Sequence, residues 1–174
     1  MAKRVERRTV DLSGYPDLVV IYLGMRVNRL MGLKTLLGFG PRISNSVGQK
    51  PAGLLLHETL IISLFPVHVG MRQYWQDFSS LEAWARSEPH REWWKNFLRD
   101  SGGTGFWHET YFIRGGFEAI YDDLPKPLGL LSFAPARAAS GPMFSARHRL
   151  GVAGTATAPA PISEADLASG GAER

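Results

Sequence analysis

The sequence predicts an α+β fold: one antiparallel sheet in the split βαβ order, covered by helices on one face. Three observations point to it. Residues 17–28, DLVVIYLGMRVN, alternate with the period of two expected of a strand. Residues 53–75 hold two apolar strand-like runs that meet near a proline. Helix signals in residues 77–100 then separate this hairpin from a second pair of strand-like runs, so the predicted order is β-α-β-β-α-β-β.

In the first strand Val19, Ile21, Leu23, Met25 and Val27 form a wholly apolar face. Val20, Tyr22, Gly24, Arg26 and Asn28 form a second face that turns polar at its end. Residues 29–47 place Leu30, Leu33, Leu36, Leu37 and Ile43 at near-helical spacing, weakened by Gly32, Gly38, Gly40 and Pro41. That pattern predicts an irregular helix broken near Gly40. The run GLLLHETLIISLFPVHVGMRQYW is too long for one strand and carries Pro66, which cannot donate to a central ladder, so two strands turning at residues 64–66 fit better. Ser79 with Glu82 reads as a capping box opening a short helix, and Pro89 as the first residue of a second helix. The buried side of that second helix is expected to be Trp93, Trp94, Phe97 and Leu98. Residues 104–113 and 117–124 read as two strands joined at Gly115 and Gly116. With the helices on one side, the other face of the sheet needs a partner.

A chain of 174 residues suits one ordinary core. Residues 1–14 are expected to be a basic N-terminal extension, residues 15–132 the domain, and residues 133–174, rich in Ala, Gly, Pro and Ser, a largely disordered tail. The absence of cysteine excludes disulfides, thiolate zinc sites and thiol nucleophiles, and makes the cytoplasm the natural compartment. No apolar leader follows MAKRVERRTV, and no run approaches the roughly 18 apolar residues of a membrane span, so a soluble chain without a membrane partner is expected. The net charge of +4 owes much to Lys3, Arg4, Arg7 and Arg8, with no basic stripe elsewhere, so nucleic acid is not the expected partner.

Period-two geometry on residues 104–113 puts Phe106, His108, Thr110 and Phe112 on one face and Trp107, Glu109, Tyr111 and Ile113 on the other. The adjacent His108 and Glu109 therefore point apart and are not one acid–base pair. His108, among phenylalanines, is either a core residue with its hydrogen bonds met or the best acid–base candidate, because imidazole titrates near neutrality. Glu109 reads as a charge partner for Arg72 or Arg26. His90 is either an exposed helix-start residue or an axial ligand to haem iron, walled by Trp93, Trp94 and Phe97. His57, His68 and His148 form no visible cluster, and no His-x-x-x-His or carboxylate triad supports a non-haem metal.

The runs YLGMRVNRL, QYWQDFSSLEAWARSEPHREWWKNF and GFWHETYFIRGGFEAIYDDLPKPLGLL together resemble a bacterial family labelled monooxygenase-like or of unknown function, DUF4188, over residues 15–132. The resemblance implies the dimeric α+β barrel superfamily, in which two ferredoxin-like sheets face each other, and hence a homodimer. LEAWARSEPH, WHE and FEAIYDDLPKPLGLL are also similar to the C-terminal half of haem-containing aldoxime dehydratases. That likeness implies His90 as the proximal ligand to haem iron and His108 as a distal histidine. The chain departs from that family in having one repeat instead of two, a single histidine in Ser87-Glu88-Pro89-His90, and no recognisable distal serine. The resulting expectation is a haem-dependent monooxygenase or aldoxime-dehydratase-like lyase acting on a small molecule. In it His108 and Arg26 are catalytic, His90, Trp94 and Phe97 hold haem, and Asn28, Tyr22 and Phe106 touch substrate. Two alternatives stand beside it: a cofactor-free monooxygenase or isomerase using His108 as base on an aromatic substrate, and a dimeric ligand-binding accessory protein in which His108 and Glu109 tie strands together.

Overall fold

The computed structural model describes residues 5–113, 117, 119–122, 124, 126–144, 148 and 149. The chain divides into two units, one of residues 17–112 and one of residues 1–16 with 113–174. In chain order the strands and helices are β1 (Arg7–Val10), β2 (Val19–Val27), α1 (Met31–Gly48), β3 (Leu54–Leu64), β4 (Val67–Trp75), α2 (Phe78–Arg86), α3 (His90–Arg99), β5 (Thr104–Phe112), β6 (Tyr121–Asp122) and β7 (Ala136–Ala138). No helix among the described residues is long and apolar enough to cross a membrane.

The unit of residues 17–112 is built on an antiparallel sheet of order β3-β4-β2-β5. With α1 between β2 and β3, and α2 and α3 between β4 and β5, this is the predicted ferredoxin-like α+β fold. β2 lies inside the sheet, pairing with β4 on one side and β5 on the other. Ile21 stands opposite Gln73 and Thr110, and Leu23 opposite Met71 and His108. Alternation then puts these six side chains on one face. Val19, Trp75 and Leu81 are buried at one end of that face, with Ile21, Leu54 and Trp84 packed against them. The Trp75 and Trp84 rings lie 5.2 Å apart and join β4 to α2.

The helices differ from expectation at their ends. α1 runs unbroken through Gly40 and Pro41 instead of stopping near Gly40. Pro41 has no N–H for the Leu37 carbonyl, but Leu37 is 76% exposed, so water can satisfy that oxygen. α2 opens two residues before the predicted cap: Asp77 is the N-cap and accepts the Ser80 N–H at 2.7 Å. Ser79 falls inside the first turn, and Glu82 pairs with Arg86 at 2.7 Å. Pro89 precedes α3 instead of opening it, and Leu98, expected on the buried side, is 79% exposed.

In the second unit the sheet has the order β6-β1-β7. β6 pairs with β1, Arg7 opposite Asp122, and not with β5 as the sequence predicts. Gly115 and Gly116, the expected joint, lie outside the described residues. β1 and β7 come from the stretches read as extension and tail, and pair antiparallel with Arg8 opposite Ala138. Thr9, buried, donates to the Ala119 carbonyl at 2.8 Å, and Tyr15 Oη donates to the Phe133 carbonyl at 3.1 Å. Residues 150–174 lie outside the described residues.

Candidate functional site

A cavity of about 290 Å3 lies between the sheet of the first unit and its helices. The apolar face of β2 supplies its floor through Ile21, Leu23 and Met25. α1 closes one side with Phe39 and Ile43, while Trp84 of α2 and Trp93 and Trp94 of α3 form an aromatic wall. Polar groups reach this space at few points, and each has a different physical standing.

His90, at the start of α3, is held between two indoles, its ring 3.8 Å from Trp84 and 4.8 Å from Trp93. Its Nδ1 is buried with no hydrogen-bond partner, and burial pushes its pKa below the ordinary imidazole value. His90 is therefore neutral near pH 7, with a nitrogen free to act as a ligand or acceptor. His108 lines the same cavity from the opposite wall, β5, and is exposed, so the desolvation cost expected for a core histidine does not arise. Phe106, beside it, lies 4.9 Å from Trp94 and 6.0 Å from Phe97. The structure thus brings His90, Trp94, Phe97, Phe106 and His108 together around one space.

Tyr22, Arg26 and Asn28 are not part of it. The helices cover the apolar face of β2, and period two sends these three to the other side. There Tyr22 Oη accepts from Arg72 Nη1 at 3.0 Å, and Arg72 Nε donates to Glu58 at 2.7 Å. Glu58, not Glu109, is the carboxylate on Arg72, whereas Glu109 accepts from the Tyr111 hydroxyl. Arg26 and Asn28 are exposed. His68 on this face accepts from Trp107 Nε1 at 2.8 Å. Tyr22, Arg26 and Asn28, expected beside the substrate, thus do not line the cavity that His90 and His108 share.

Gln73 is a polar cavity residue that escaped the sequence reading. Gln73 on β4 is fully buried; its Oε1 accepts from Trp75 Nε1 at 3.1 Å, and its Nε2 lies 3.1 Å from His57 Nδ1. The available signal was its parity: Gln73 shares a strand face with Met71 and Trp75, where a polar side chain must find partners inside.

Among the described residues no three histidine or carboxylate groups come together as a metal cage. A haem asks for less: one neutral imidazole with a free nitrogen and an apolar pocket around it. His90, with its partnerless Nδ1 and its aromatic neighbours, fits that requirement in kind.

The model of the protein family described as monooxygenase af470-like matches residues 18–130. The chain belongs to that family. Among solved structures, an aldoxime dehydratase is similar at a TM-score of 0.61 and 21% identity, over 76% of this chain and 39% of the dehydratase. An aldoxime dehydratase in complex with butyraldoxime gives a TM-score of 0.61 and 25% identity, over 76% of this chain and 38% of that one. The chain thus spans about two fifths of the length of these dehydratases. The cofactor-independent oxygenase SnoaB of Streptomyces nogalater is 10% identical at a TM-score of 0.42, over 55% of this chain and 93% of the oxygenase. Comparison with curated proteins gives no match.

Proposed function

We propose that this family member is a small-molecule enzyme whose reaction centre is the cavity between sheet and helices, with haem held by His90 and with His108 as its acid–base group. The observation that carries the reading is the placement of two histidines of opposite character on facing walls of one apolar space. His90 is desolvated and its Nδ1 meets no protein partner, which leaves it available as an axial ligand, and His108 is accessible, as a proton-transfer group should be. Haem, when bound, supplies an iron that can coordinate a small substrate and tune its electronics. Trp84 and Trp93 fix the plane of the His90 ring, Trp94 and Phe97 wall the pocket, and the apolar floor excludes water. His108 gives a proton to a departing hydroxyl in a dehydration, or takes one from the substrate in an oxygenation. A second copy would cover the opposite sheet face in a dimeric α+β barrel, and a chain without cysteine suits a reducing cytoplasm.

One observation favours a second reading. A volume of about 290 Å3 is at the lower edge of the range for small-molecule pockets and suits a single aromatic substrate. In that case the enzyme is a cofactor-free monooxygenase in which His108 forms the substrate anion. The two readings separate on a visible spectrum of protein purified from haem-supplemented cells. A Soret band lost in His90→Ala and kept in His108→Ala is the expected result. A colourless protein that gains no band on titration with haemin overturns the haem reading and leaves the second.

A further inference from the structure

We propose that the end of the first unit where β3 turns into β4 docks on an anionic lipid surface, with Phe65 and Leu64 among the acyl chains and Arg26, Arg29 and Lys34 against the headgroups. The apolar side chains of this end stand in water. Phe65, in the β3–β4 turn, is 98% exposed and Leu64 77%, and Ile61 is exposed a little further down β3. Ser63 Oγ donates to the Pro66 carbonyl at 2.5 Å, which closes the turn without covering Phe65. α1 opens at the same end of the sheet. Near its end β2 sets Arg26 opposite His68, just beyond the β3–β4 turn, and Leu30, 88% exposed, and Met31 follow directly after Arg29. A concentration of large exposed apolar side chains at one end of a sheet marks a contact surface.

The charges decide what covers this surface. Between Asp17 and Asp77 the sequence holds one acid, Glu58, and Arg72 takes it at 2.6 Å. Arg26, Arg29 and Lys34 are exposed and form no ion pair among the described residues. Asp100, in the turn between α3 and β5 at this end, has its carboxylate on the Gly102 N–H at 2.8 Å, next to an exposed Arg99. Apolar tips set among unpaired cations match the boundary of an anionic bilayer, where acyl chains and negative headgroups lie in adjoining layers. Two copies meeting face to face by this end would set like charges against each other. Nucleic acid would take the cations and leave Phe65 and Leu64 in water. A protruding turn needs no shaped pocket when the acceptor is fluid. The expectation of no membrane partner rests on the lack of a leader and a span, and a surface contact requires neither.

The test uses the full-length protein and vesicles of phosphatidylcholine, either neutral or with about 30 mol% phosphatidylserine. Co-sedimentation should show binding to the anionic vesicles about tenfold or more tighter than to the neutral ones, weakening as salt is raised. Phe65→Ser changes a side chain that the fold leaves in water, so the variant should fold and lose about tenfold or more in affinity for the anionic vesicles. The double variant Arg29→Gln with Lys34→Gln should lose roughly 20-fold. Because the chain has no cysteine, Phe65→Cys takes a single environment-sensitive dye. Its emission should shift to the blue on anionic vesicles, while the same dye on Gln49→Cys, beyond the far end of α1, should not respond. Anionic binding that Phe65→Ser leaves unchanged is adsorption by charge alone and overturns the proposal. Binding to neither kind of vesicle, or equally to both, overturns it too. If the wild type then self-associates and Phe65→Ser does not, this end is an interface between copies instead.

Discussion

His57 and His90 are half-buried imidazoles, and burial pushes both below the ordinary histidine value, with Glu58 opposing the shift at His57. At His57 the hydrogen bonding points the same way, because a protonated Nδ1 would set its N–H against the Gln73 amide donor. A base whose folded pKa lies below its unfolded value near 6.5 binds fewer protons in the native state between the two values. The stability it contributes is therefore full above about pH 6.5 and is lost as the pH falls through the lowered folded values. The melting temperature should be level from pH 8 to 7 and drop toward pH 5. His90→Phe should flatten part of that drop, and an unchanged slope would remove His90 from the account. His108, by contrast, is exposed. Its replacement by alanine should leave stability within about 0.5 kcal/mol, as for other surface positions, while lowering turnover about 100-fold or more. A large loss of stability with intact turnover would return His108 to a structural role. His108 could be read in the sequence because strand parity separates it from Glu109 without any tertiary knowledge. The environment of His90 could not, since its indole neighbours come partly from α2, and only the packing of α2 against α3 brings Trp84 to it.

At the scale of elements, the corner where β2 turns into α1 is pinned by a close backbone approach. The Gly103 carbonyl accepts from the N–H groups of Asn28 and Arg29, both at 3.0 Å, and a Cβ on Gly32 would come within 2.5 Å of that oxygen. Alanine in place of glycine would favour the helix by up to about 1 kcal/mol, but the backbone it meets cannot yield as a flexible side chain would. Gly32→Ala is expected to destabilise the protein by about 1–3 kcal/mol, read as a lower urea midpoint at unchanged slope. The α2 cap gives a milder case. Asp77→Ala should cost about 1 kcal/mol, and Asp77→Ser should restore most of it. Equal losses in the two variants would show that the cap bond is not what matters there. The sequence reading identified α2 and misplaced its start by two residues because Ser79-x-x-Glu82 mimics a capping box. Asp77 wins because its extended backbone and short carboxylate already meet the Ser80 N–H. Pro41 misled in the other direction: a proline signals a break, yet α1 tolerates it where the unpaired carbonyl can meet water.

For the whole molecule, legibility follows the length of each repeating pattern. β2 and β5, of nine residues each, show their faces in the sequence, and with them come the order of the sheet and the wall carrying His108. β1, β6 and β7 have four, two and three residues, too short for any period, and their pairing joins Arg8 to Ala138 across most of the described chain. No local pattern encodes such a choice of partner. The same reasoning bears on assembly, because the sheet face opposite the cavity is not that of an ordinary solvated sheet. It places the Tyr22, Arg72 and Glu58 network beside Tyr111, which is 47% exposed, with the Tyr22 and Tyr111 rings 6.0 Å apart. An aromatic side chain that stays exposed beside a fixed ion pair suits a protein interface better than water. A homodimer through this face predicts twice the chain mass in sedimentation equilibrium and a melting temperature that rises with protein concentration. Tyr111→Asp places a second acid beside Glu109 on a strand residue that is exposed in the single chain, so an isolated monomer should lose no more than about 1 kcal/mol. Across a dimer interface the buried, unpaired carboxylate is far more costly. The variant should therefore sediment as a folded monomer whose melting temperature no longer depends on concentration. A wild type that is monomeric at tens of micromolar, or a Tyr111→Asp protein that stays dimeric, would place the interface elsewhere or remove it.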